Sequence, residues 1–140
     1  MWNYLPSSTM RSLKTYVIAF ACLVVGALLY ALCRTDIWFV DSMHLNKIGA
    51  WHLPTDTVWG YWLVYCLPDG LWYLALLLVQ QQMVYAKSVV SRAIFAAAIA
   101  LPFVLEGLQA ARLIPGTFDY MDILTYLLTL ILFICLKKLF

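Results

Sequence analysis

The run YVIAFACLVVGALLYALC, residues 16 to 33, carries no charged side chain, over a length that helical geometry converts to about 27 Å, close to the thickness of a hydrocarbon core. Three more apolar runs follow it. The chain is 65% hydrophobic and 11% charged, against roughly 25% charged in soluble domains. In lipid every backbone N–H and C=O needs an internal partner, so such runs fold as helices. The expected fold is an all-α membrane protein: one integral domain over residues 1–140, with four transmembrane helices in a compact bundle at about 16–33, 68–86, 91–113 and 120–136.

A chain of 140 residues with four spans leaves no room for a separate soluble module. Its net charge of +2, without a basic run, gives no reason to expect nucleic acid as a partner. Cys22, Cys33, Cys66 and Cys135 lie in or beside apolar runs with no CxxC spacing, which predicts packing residues and no disulfide frame. No metal is expected, because His44 and His52 stand alone and no ligand spacing accompanies them. The first run follows Arg11 and Lys14, in the outline of a signal peptide. No clear small-x-small cleavage site precedes Arg34, so it is read as a retained span.

The second run admits two registers. From Val58 to Val84 it is almost continuously apolar, but Pro68-Asp69-Gly70 interrupts it. A single kinked helix from Val58 puts Asp69 about 16 Å deep. Alternatively, residues 57–66 form a short interfacial or re-entrant helix and Pro68 opens a span to about Ala86, where proline is tolerated and aspartate complements the helix dipole. The second register is favoured, because an unpaired charge at bilayer depth costs at least about 2.5 kcal/mol.

In the third span Ala93, Ala96, Ala97, Ala98 and Ala100 predict close helix contact, and Pro102 predicts a bend. The fourth follows a turn at Pro115-Gly116, is capped by Thr117 or Asp119, and ends at Lys137-Lys138. Arg11, Lys14, Lys87, Arg92, Lys137 and Lys138 fall on one side of this plan. Arg34, Lys47 and Arg112 fall on the other, with Asp36, Asp41, Asp56, Glu106, Asp119 and Asp122. The excess of basic residues predicts a multi-pass protein of the cell (cytoplasmic) membrane with both termini in the cytoplasm. Trp38, Trp51, Trp59, Trp62 and Trp72 read as an interfacial belt around an outer loop at 34–57 that lies along the membrane.

The chemistry-bearing residues concentrate in EGLQAARLIPGTFDYMD, residues 106 to 122. Glu106 and Gln109 share a helix face. Asp122, Thr125, Tyr126 and Thr129 make a polar stripe at i, i+3, i+4 and i+7. With Asp69 at the same level, four carboxylates from three helices converge near the outer headgroup plane. The candidate ligand-binding residues are Glu106, Gln109, Asp69, Asp119, Asp122, Arg112 and Tyr126, since intramembrane ionisable groups mark functional sites. For Asp119 and Asp122 helix capping competes with that role, and for Arg112 snorkelling does.

The segment LPFVLEGLQAARLIPGTFDYMDILTYLL resembles the closing motif of VanZ-like membrane proteins. There a Glu and a Gln three apart lead through a Pro-Gly turn to an Asp-rich start of the last helix. Glu106, Gln109, Pro115, Gly116, Asp119 and Asp122 stand in matching places, but Thr117 stands where the family commonly has arginine. Tyr126 and Thr129 replace its asparagine and glycine. The resemblance implies a compact multi-helix membrane fold of the cell envelope without an assigned activity.

Two functions follow as expectations. One is an outer-leaflet acidic pocket that binds or modifies a lipid or envelope amphiphile, since neighbouring carboxylates split into an acid and a base or hold a divalent cation. No nucleophile, phosphate loop or metal motif accompanies them, so the residues decide neither for nor against catalysis and name no cofactor. The other is a non-catalytic subunit that assembles with itself or a membrane partner through the alanine-rich span.

Overall fold

A computed structural model describes residues 7–33, 54–84 and 88–139. The chain is an all-α membrane protein with four helices long and apolar enough to cross a bilayer: α1 (Ser7–Cys33), α2 (Val58–Val84), α3 (Val89–Ala110) and α4 (Tyr120–Leu139). The expectations for Trp38, Trp51, His44 and His52, and for most of the 34–57 loop, lie outside the described residues.

The four helices are not equivalent. Half of the α2 span is buried, against 11–17% of each of the others. Among the described residues α2 touches α1, α3 and α4, whereas α1 packs on α2 alone. The core follows: Tyr73, Leu74, Ala75, Leu77 and Leu78 of α2 meet Ala19 of α1 and Phe133 of α4, with Phe95 and Ile99 of α3 at the edge. The outward faces of α1, α3 and α4 expose Phe20, Leu28, Val104, Leu128 and Ile131. That is the arrangement of a span whose solvent on three sides is lipid.

The second run is one helix, which corrects the favoured register. The short helix at 57–66 and a separate span opened by Pro68 do not form; Val58–Tyr61, a π-turn at Trp62–Cys66 and Leu67–Val84 are continuous. The π-turn is the physical reason. Leu67 N–H bonds to the Trp62 carbonyl five residues back, and this wider turn absorbs the bonding defect that Pro68, without an N–H, brings into a helix. The charge penalty that disfavoured this register assumes a lone carboxylate in lipid. Asp69 lies instead on the central helix, half-buried and within electrostatic range of Cys66 and Tyr126.

Other expectations meet the fold unevenly. Pro102 does lie inside α3, and the Tyr73 phenol donates 2.8 Å to the carbonyl of Ile99, three residues before it. Of the five alanines only Ala98 is buried. Trp59 is exposed at the start of α2, but Trp72 lies well inside α2, its ring centroid 5.5 Å from that of Tyr30.

Helix α2 meets α4 where Gly70 lets them close. A Cβ there would lie 2.7 Å from Thr125 Cγ2 and 3.2 Å from Thr129 Oγ1. Gly70→Val should therefore force the helices apart and destabilise the protein by about 1–3 kcal/mol. Gly107→Ala, with nothing within 4 Å of the new carbon, should leave the unfolding midpoint in micelles unchanged or raised, since alanine is the better helix former. Equal midpoints for the two variants would contradict this packing.

Candidate functional site

Helix α4 begins where its cap dictates. Asp119 Oδ1 accepts from Met121 N at 2.8 Å, and its carbonyl accepts from Ile123 N, so Asp119 and not Thr117 is the N-cap. Its other contacts reach outward. Asp119 Oδ2 accepts 2.6 Å from the Tyr61 hydroxyl of α2, and Asp119 N donates 3.2 Å to Glu106 Oε2 of α3. One residue thus bonds to three helices.

Glu106 is 5% exposed although it carries a carboxyl group. It sits one turn before the end of α3, turned inward toward the start of α4, and both Asp119 and Asp122 lie within its electrostatic range. Asp122, in the first turn of α4, faces the Cys66 thiol at hydrogen-bonding range. Deeper in, Tyr126 is within electrostatic range of Asp69, Asp122 and Glu106, its ring packed edge-on against Tyr73 and Phe103. The carboxylates therefore descend from the rim inward, Asp119 outermost and Asp69 innermost, rather than sharing the single plane expected of them.

Two expected members stand apart. Gln109 covers the turn after α3: a Cβ on Gly116, whose φ is +127°, would lie 2.4 Å from Gln109 Nε2. Its Oε1 is buried without a hydrogen-bond partner. Arg112 is exposed and closes α3 through its backbone. Leu113 N bonds to Leu108 O and Arg112 N to Gln109 O, with Arg112 at φ 58°. This is the Schellman pattern, in which glycine is the usual residue at the left-handed position.

Three residues that sequence reasoning left out complete the cluster. Trp62 Nε1 donates 2.8 Å to Thr125 Oγ1, which in turn donates to Met121 O; Tyr61 holds Asp119; Cys66 is fully buried beside Asp122. The signal was the spacing Trp62, Cys66, Asp69 and Tyr73, one stripe at i, i+4, i+7 and i+11, visible only once α2 is read as continuous. One ligating atom each from Cys66, Asp119 and Asp122 lie within 4.8 Å of one another. These side chains can hold a cation, and a thiolate with two carboxylates suits zinc better than magnesium or calcium. Chemically the cluster offers acceptors to an ammonium or hydroxyl group and donor atoms to a metal ion.

If Asp119 is the junction, Asp119→Ala should cost about 1–2 kcal/mol through the lost cap alone, while Asp119→Asn, which keeps a capping oxygen, should lose less. Arg112→Gly should raise stability by about 0.5–1 kcal/mol, the relief of the left-handed backbone less the greater entropy that glycine loses on folding. Unfolding midpoints in micelles measure all three, and a destabilised Arg112→Gly would mean that the side chain itself holds the structure.

No family model, curated protein or solved structure matches the chain.

Proposed function

We propose that the chain is a VanZ-like membrane protein of the cell envelope whose acidic cluster binds the head group of a membrane amphiphile. In this reading the protein lies in the cytoplasmic membrane with both termini inside, and the cluster faces the outer leaflet, as the basic-residue asymmetry favours. The observation that carries it is Glu106: a carboxyl side chain 5% exposed, brought beside Asp119 and Asp122 of another helix, with Asp69 and Tyr126 below. Acids at membrane depth persist where they meet a partner or a passing ligand. The cluster presents acceptors, so the favoured head group is donor-rich, an amine or a polyol. A divalent cation held by Cys66, Asp119 and Asp122 would extend recognition to an anionic one.

A second reading, a non-catalytic subunit that associates with itself or a membrane partner, is favoured by Ala93, Ala97 and Ala100. These form a small-residue stripe on α3 at i, i+4 and i+7 that is exposed among the described residues.

Native mass spectrometry of detergent-extracted protein should detect a co-purifying lipid that Glu106→Gln and Asp122→Asn each reduce about ten-fold, the loss of one charged hydrogen bond of about 1.5 kcal/mol. Folding should be retained. Washing with a chelator separates direct contact from contact through a cation. A stable oligomer dissolved by Ala97→Leu, with lipid retention unchanged in the carboxylate variants, would replace the binding reading with the subunit reading.

A further inference from the structure

The end of the bundle opposite the carboxylates has the inverse charge. Among the described residues Lys14, Arg92 and Lys137 are exposed there, while Asp56, Asp69, Glu106, Asp119 and Asp122 all lie toward the other end. At the basic end a cavity of about 190 Å³ opens between three helices, lined by Gln81 and Val84 of α2, Phe95 of α3 and Lys137 of α4. It is somewhat larger than the engineered cavity of about 150 Å³ that accepts benzene.

We propose that this cavity binds the phosphate-bearing head region of an anionic phospholipid. Lys137 supplies the cation and the Gln81 carboxamide a neutral donor, both able to serve phosphate oxygens. Val84 and Phe95 supply apolar walls, which a free phosphate ion cannot use but the glycerol and first methylenes of a lipid can. Depth agrees. Phe95 is six residues into α3, about 9 Å from its start, and Gln80-Gln81-Gln82 mark the level at which α2 leaves the apolar region. Basic pockets between spanning helices are recurrent sites for anionic head groups.

The test reconstitutes the full chain in detergent with equal amounts of phosphatidylglycerol and phosphatidylcholine and reads retained lipid by native mass spectrometry. Phosphatidylglycerol should be retained preferentially. Lys137→Gln should lower that retention about ten-fold, the loss of one hydrogen bond to a charged phosphate oxygen. Arg92→Gln, a cation at the same end outside the cavity lining, should change it little, and Val84→Trp should abolish it by filling the space. Millimolar inorganic phosphate should not compete. Equal retention of the two lipids, equal losses from Lys137→Gln and Arg92→Gln, or displacement by inorganic phosphate would each overturn the assignment. Should Val84→Trp fail to fold, the Lys137 and Arg92 variants decide alone. Glu106 and Asp122 lie at the other end, so this result is independent of theirs.

Discussion

The structure depends on what Asp119 does with one carboxylate and one N–H. A helix that begins inside a protein leaves backbone donors without partners, and in a nonpolar setting each is expensive. Asp119 settles one of them on its own helix. It then uses its second oxygen on Tyr61 and its own N–H on Glu106. A local requirement of α4 thereby becomes a junction of α2, α3 and α4. Trp62 and Thr125 repeat the principle one turn further in. These bonds fix which faces meet, something apolar packing specifies poorly when lipid is as apolar as the helix surface.

Around that junction the fold is organised by α2. Because three helices surround it, it can hold a proline, a π-turn, a glycine and an aspartate within nine residues, Trp62 to Gly70. Each would be costly against lipid; between helices each has a use. The π-turn accommodates the proline, the glycine admits α4, and the aspartate joins the polar column beneath Asp122. The carboxylate cluster and the basic cavity mark opposite ends of the same three-helix contact.

Much of this was legible in the residues. Uninterrupted apolar length gives four helices because lipid leaves the backbone no alternative, and Pro115-Gly116 followed by aspartates locates the start of α4. Glu106 declares itself by being ionisable within an apolar run. The register of α2 was less accessible, since the cost assigned to Asp69 depends on whether lipid or protein surrounds it, and only the packing decides that. The same uncertainty hid Cys66 and Trp62, whose common face with Asp69 exists only on a continuous helix. Arg112 carries no sequence mark of its left-handed backbone, a position where glycine is customary.

Helix α1 has a consequence for biogenesis. It leaves the ribosome before α2, the only described helix it packs against, so for a time it must be soluble in lipid on every side. Its exposed Val17, Phe20, Val24 and Leu28 make that intermediate tolerable. Assembly then has a natural order in which α1 waits as an inserted rod, and the polar junction is completed only when α3 and α4 emerge.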